Sequence, residues 1–176
     1  NQVRVCPSTP EVLPLTDTTT WGTADLAWSW AKGPPTFRGS YTLNGWLYSG
    51  DDPYHNSPAD APKRVQKDTD IQRPALTPFF ADSIWVDCWP EPTDPPARDL
   101  YSGDQSGGIG RIGRNTIARH GGKPASTAPR SWPAGQRLPG GITVGCADGH
   151  VDPVPLETLW SYHWYRGYQA PNTRPP

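Results

Sequence analysis

The sequence has no methionine, only three cysteines and three phenylalanines, and a net charge of −1 without a basic block. Hydrophobic residues make up 34% of its 176 residues, which is low for a globular protein. A bilayer-spanning helix needs about 20 consecutive apolar residues, and no run in the sequence approaches that length. The balanced charge argues against nucleic-acid binding through a basic stripe. We therefore predict neither a membrane-spanning segment nor a nucleic-acid partner.

The start of the chain shows no targeting pattern. It begins at Asn1 without methionine, and it lacks the basic and apolar regions of a secretory signal. We expect the chain to be a processed product or a fragment, with any targeting information in a segment that has been removed.

Turn-forming and aromatic residues are abundant. The sequence contains 18 Gly and 23 Pro, but also nine Trp and seven Tyr. A high Gly and Pro content favours loops or disorder, whereas disordered chains are poor in aromatic residues. We therefore expect a loop-rich fold whose core consists of a few large aromatic side chains.

Two segments have the alternation of strands, and we expect them to lie in one antiparallel sheet. They span 78–89 and 141–151, and each has apolar residues at every second position of one face. Cys88 and Cys146 lie on these apolar faces. Two interpretations remain open: a Cys88–Cys146 disulfide, or two small buried core residues.

Capping and turn signals predict the remaining elements. Asn44-Gly45 is a hairpin signal, and residues 23–33 fit either a short helix or an extended aromatic segment. Asp152 as N-cap and Gly167 as the stop predict a C-terminal helix. The predicted fold is α+β: one domain over 1–176, with a loop-rich antiparallel sheet, a C-terminal helix and an inserted surface loop at 123–140.

The histidines and aspartates do not form a known catalytic pattern. A nucleophile–base site has Asp82, His120, Asp148 and His150 to draw on, but no G-x-S-x-G elbow is present. A histidine-ligated metal lacks the H-E-x-x-H spacing. Asp148-Gly149 has the chemistry of a turn.

An acidic, Gly- and Pro-rich stretch offers oxygen ligands for calcium, which takes six to eight oxygens. The alternative interpretation is a solvated acidic loop. The candidate ligands are Asp87, Glu91, Asp94, Asp99 and Asp104.

Several segments together resemble the soluble part of the prepilin-like H-x(9)-DG family, relatives of type II secretion pseudopilins from planctomycete-type bacteria. The matching segments are VCPSTP, GSYTLNGWLY, FFADSIWVDCWPEPTDPP, IARHGG and ADGHVDPVPLETLWSYHWYRGY. The family histidine corresponds to His120 and its Asp-Gly to Asp148-Gly149. Here 27 residues separate them instead of nine, because of the 123–140 segment.

The resemblance implies a pseudopilin-like C-terminal domain, an assembly role and no enzymatic activity. In the family, an N-terminal apolar helix packs subunits into a pilus-like filament, and relatives often hold calcium in a C-terminal loop. We therefore expect an extracellular, cell-surface or periplasmic structural subunit whose partners are copies of itself or other pseudopilin-like subunits. His120, Asp148, Gly149 and His150 are its expected structural signature.

Two other functions remain as alternatives. One is a cell-surface module that binds carbohydrate or protein through its aromatic residues. The other is a hydrolase that uses His120, Asp148 and His150.

Overall fold

The fold is built from two small β-sheets and short 3-10 helices. The computed structural model describes residues 4–9, 18–31, 36–48, 57–106 and 111–176. The strands are β1 (Trp28–Trp30), β2 (Phe37–Gly39), β3 (Tyr41–Asn44), β4 (Pro78–Asp82), β5 (Asp87–Cys88), β6 (Gly141–Cys146) and β7 (Val151–Pro155). The 3-10 helices are Gly45–Leu47, Ala61–Lys63, Asp68–Asp70, Pro74–Leu76, Ile112–Arg114, Ala125–Thr127 and Leu156–Ser161.

The larger sheet has the strand order β5-β3-β4-β6-β7, and β1 pairs with β2 in a separate ribbon. All pairs are antiparallel except β3 with β5. The coarse prediction of a mixed fold with antiparallel strands and few helices is confirmed, and so is the pairing of the two predicted strand regions, through β4 and β6.

The predicted single strand over 78–89 is wrong, because the chain leaves the sheet between β4 and β5. Ser83 donates its N–H to the Ser40 carbonyl and Ile84 to the Arg114 carbonyl. The chain then returns as β5 on the far side of β3. The alternation in this segment reflects burial of Ile84 and Cys88 in the core, and not one continuous strand.

The predicted C-terminal helix is also wrong. Residues 151–155 form the edge strand β7, and only Leu156–Ser161 is helical, as a 3-10 helix. Pro153 and Pro155 are compatible with an edge strand, because a proline there loses no hydrogen bond to the neighbouring strand. Within this 3-10 helix, Leu156, Leu159 and Trp160 are buried in the core.

Two local predictions at the start of the chain have different outcomes. The segment 23–33 is extended and not helical where it forms β1 (Trp28–Trp30). Asn44-Gly45 does not form the expected hairpin. Instead the Asn44 side chain accepts the N–H of Trp46 and so caps the Gly45–Leu47 helix, while its amide donates to the carbonyls of Pro78 and Trp164.

Of the two interpretations of Cys88 and Cys146, the structure agrees with two buried core residues and not with a disulfide. All three cysteines are buried free thiols. Cys88 is in β5 and Cys146 in β6, with β3 and β4 between them. Three strand spacings amount to about 14 Å, whereas the Cα atoms of a disulfide lie about 4.4–6.8 Å apart.

The predicted surface loop at 123–140 is anchored to the core. It contains the short helix Ala125–Thr127 and no strand. Ala125, Ala128 and Leu138 are buried, and Trp132 donates its backbone N–H to the Arg98 carbonyl. Within the part of the chain that the structure describes, no helix is long and apolar enough to cross a membrane.

Candidate functional site

Asp82 is the centre of a buried polar cluster at the end of β4. Its side chain is fully buried. Its Oδ1 accepts a hydrogen bond from Arg119 at 2.8 Å, and its Oδ2 accepts one from the Thr143 N–H at 2.7 Å. Burial alone would raise the pKa of Asp82, but the hydrogen bond from His120 and the charge of Arg119 outweigh it and lower this pKa.

Arg119 ties this cluster to three backbone segments, at residues 23–24, 40 and 83. Its guanidinium is fully buried and, besides Asp82, donates to the carbonyl oxygens of Thr23, Ala24, Ser40 and Ser83. These five bonds match the five donors of an arginine. The fork therefore satisfies carbonyls that would otherwise lose hydration on burial.

His120 lies beside Asp82 and is partly open to solvent. Its backbone pairs with Gly141 at the start of β6, which fixes the ring next to the sheet. Nε2 is 3.0 Å from Asp82 Oδ2 and 3.5 Å from Cys6 Sγ, and Nδ1 is 3.5 Å from Ser8 Oγ. The hydrogen bond to Asp82, followed by that to Cys6, raises the pKa of His120 to about 9.

Cys6 completes the cluster from the N-terminal segment. Its N–H donates to Ser40 Oγ, and the residue is 3% exposed. Burial by itself would raise the pKa of this thiol, but the contact with His120 lowers it. Tyr41 lies next to Cys6, and burial followed by the charge of Cys6 raises the pKa of Tyr41 to about 12.

The arrangement differs from a nucleophile–base–acid relay. Such a relay uses one imidazole nitrogen for the nucleophile and the other for the carboxylate. Here the same atom, His120 Nε2, faces both the Cys6 thiol and the Asp82 carboxylate. The cluster therefore brings three ligand atoms to one point and does not support proton relay in acyl transfer.

An open cavity lies next to His120. Its volume is about 530 Å³, and its lining includes Ser8, Asp25, His120 and the Gly121–Ser126 segment. Solvent therefore reaches the His120 side of the cluster, whereas Cys6 and Asp82 are buried behind it.

The predicted signature residues fall into two separate places. His120 is next to Gly141 at the start of β6, whereas Asp148, Gly149 and His150 follow its end, and β6 spans roughly 17 Å at the usual strand rise. Asp148 Oδ1 accepts the His150 N–H at 3.2 Å and contacts its Nδ1 at 2.6 Å, and Gly149 has a φ of 96°. This segment is the turn between β6 and β7, as the turn chemistry of Asp148-Gly149 predicts.

The five predicted calcium ligands are engaged individually. Asp87 pairs with Arg114 and Glu91 with Lys63, while the other three accept local backbone N–H groups: Asp94, Asp99 and Asp104. Among the described residues, the single group of three or more acidic, His or Cys ligand atoms within 4.8 Å of one another is Cys6, Asp82 and His120. Calcium binding by the five residues stays a prediction.

A second feature is an aromatic groove that is lined by residues of both the β1–β2 ribbon and the larger sheet. Its volume is about 940 Å³ and its principal apolar lining is Trp28, Trp30, Phe37, Tyr41, Leu43 and Phe80. Phe80 is 48% exposed and Val151, which also lines the groove, 63%. Arg38 and Asp87 add charges of both signs to the lining.

Sequence reasoning named Asp82 and His120 but missed Cys6 and Arg119. The Cys6–His120 contact joins residues 114 positions apart, and no local spacing predicts such a contact. No protein-family model, curated protein or solved structure matches this chain.

Proposed function

We propose that this chain is an exported, non-catalytic structural subunit of a pilus-like, pseudopilus-like or other extracellular filament. The observation that carries the proposal is the aromatic groove. Contiguous exposed apolar surface on a protein usually marks an interaction site, and here Phe37, Phe80 and Val151 are 43%, 48% and 63% exposed. The resemblance to pseudopilin relatives gives the class of assembly and the extracellular or periplasmic location.

The occupant of the groove is a second subunit of the same chain. Extension of the sheet through β7 is disfavoured, because Pro153 and Pro155 occupy this edge strand and proline blocks edge-to-edge pairing. Association through the groove avoids this obstacle and buries the exposed aromatic side chains.

The buried cluster supports a structural role for His120, the residue that corresponds to the histidine of the H-x(9)-DG family. Arg119 and Asp82 are fully buried and hydrogen-bonded to surrounding backbone, so they hold segments together. The hydrolase alternative needs His120, Asp148 and His150 in one site. His120 lies at the start of β6, whereas Asp148 and His150 follow its end.

The test is self-association of the chain in solution. We expect sedimentation velocity and negative-stain images to show assemblies that grow with concentration, and Phe80→Glu to weaken association at least tenfold. Leu76→Glu is the matched control, because Leu76 is 40% exposed and lies outside the groove lining. Monodisperse monomers at high concentration, or equal association of the Phe80→Glu protein, would contradict the proposal.

A carbohydrate-binding module is the second candidate, and the tryptophans of the groove favour it. Trp28 and Trp30 lie beside Arg38 in the lining, and aromatic faces with nearby polar groups are typical of small-molecule sites. Specific glycan binding that Phe80→Glu abolishes, by monomers that do not assemble, would favour this module over the filament subunit.

A further inference from the structure

We propose that Cys6, Asp82 and His120 form a binding site for a divalent transition-metal ion, with zinc as its best fit. Cys6 Sγ, Asp82 Oδ2 and His120 Nε2 converge, all within 4.8 Å of one another. They come from the N-terminal segment, the end of β4 and the segment that pairs with β6. The fold, and not a local motif, brings the three ligand types together.

The distances match those of a tetrahedral zinc site. Zn–S bonds of about 2.3 Å and Zn–N or Zn–O bonds of about 2.0–2.1 Å place sulfur and nitrogen about 3.6 Å apart, and nitrogen and oxygen about 3.3 Å apart. The observed separations are 3.5 Å for Sγ and Nε2, and 3.0 Å for Nε2 and Oδ2. An ion bound at this point needs shifts of only a few tenths of an ångström along these two edges.

The surroundings of the three ligands also fit a metal site. A ligating histidine usually donates its other ring N–H to an oxygen, and ligating carboxylates are held by hydrogen bonds. His120 Nδ1 is 3.5 Å from Ser8 Oγ, and the Asp82 carboxylate is held by Arg119 and the Thr143 N–H. These contacts orient both ligands toward the Cys6 sulfur.

The ligand set determines which ions the site takes. A thiolate with an imidazole and one carboxylate suits zinc and related transition ions, whereas calcium and magnesium require oxygen ligands. The cavity of about 530 Å³ beside His120 gives an ion access and leaves room for water as the fourth ligand. The site is thus chemically distinct from the acidic stretch that predicted calcium.

Bound metal would act as a cross-link in the folded protein. It would join residue 6 to residues 82 and 120, which closes long loops that the unfolded chain leaves open. An ion that binds the folded state and not the unfolded state raises stability by mass action. This role is independent of the groove, so the metal site and the filament function can fail separately.

The test uses the full chain without a histidine tag, first treated with a chelator and shown to be folded by circular dichroism. We expect one Zn2+ per chain in a competition titration, with a dissociation constant below about 1 μM and a rise in Tm. Co2+ should give a thiolate-to-metal charge-transfer band and tetrahedral d–d bands, and added Ca2+ should produce neither change.

Cys6→Ser and His120→Gln test the ligands, and Cys146→Ser and His150→Gln are their matched controls. We expect the first pair to lose at least tenfold in Zn2+ affinity and the control pair to keep it, because Cys146 and His150 lie outside the cluster. The Co2+ charge-transfer band identifies a thiolate ligand in the unmodified chain, so the test does not depend on the variants folding. No metal uptake by the folded chain at micromolar concentration, or unchanged uptake by folded Cys6→Ser protein, would overturn the proposal.

Discussion

At the scale of single residues, Arg119 is the connection on which the cluster depends. Its guanidinium is fully buried and bonds Asp82 together with four backbone carbonyls. We predict that Arg119→Lys lowers the free energy of unfolding by about 3 kcal/mol, because an ammonium has three donors and cannot reproduce the planar fork. Urea denaturation measures this loss.

Arg137→Lys is the control for this substitution. Arg137 is exposed, and we expect the change there to alter the free energy of unfolding by less than about 0.5 kcal/mol. A loss at Arg119 no larger than that at Arg137 would show that the buried fork is not needed for stability.

The sequence predicted the role of a residue where its contacts are local, and missed the contacts between residues that are far apart along the chain. The Asp148-Gly149 turn depends on neighbours two positions apart, and its turn chemistry was sufficient to predict it. Arg119 and Asp82 are 37 positions apart, and Cys6 and His120 are 114 apart. Contacts between residues so far apart along the chain are set by the tertiary fold. The sequence therefore named His120 as a candidate but not its partner Cys6.

At the scale of elements, the prolines of β7 explain both a wrong prediction and a property of the sheet edge. The sequence placed Pro153 and Pro155 in the first turn of a helix, where a missing N–H costs nothing. The same residues suit an outer strand, because Leu156 donates its N–H to Gly140 across the pair with β6. Along a strand, N–H groups alternate sides, so positions 153 and 155 face the free edge.

We predict that the double substitution Pro153→Thr and Pro155→Thr promotes aggregation. It restores two N–H donors on the exposed edge of β7, and unprotected edges pair with other chains. Light scattering at elevated protein concentration should rise more steeply than in the unmodified chain, with little change in Tm. Pro133→Thr, at an exposed loop position, is the control; equal aggregation of both proteins would mean that the edge prolines are not protective.

At the scale of the whole molecule, the segment 123–140 combines the geometry of a removable insertion with the contacts of a core segment. His120 and Gly141 exchange backbone hydrogen bonds at 2.9 and 2.8 Å, so the ends of the segment are already neighbours. Between those ends, the chain buries Leu138 and two alanines, and Leu100 donates its N–H to the Pro129 carbonyl. The sequence predicted the location of the segment from its composition but not its burial.

We predict that deletion of residues 123–139, which joins Gly122 to Gly140, leaves a folded protein that is less stable by about 3 kcal/mol. The new glycine turn can close the strand-like pair of His120 and Gly141, because short loops between paired strands favour glycine. The loss follows from removal of the buried side chains and of the cover they give their neighbours.

A Gly-Ser insertion after Gly135 is the control for this deletion, because a Cβ at that position would meet open space. It should cost less than about 0.6 kcal/mol, since longer loops are closed at small entropic cost. Urea denaturation compares the two proteins: equal stability would mean that the segment is a solvated insertion, and failure of the deletion protein to fold would mean that the domain depends on this segment.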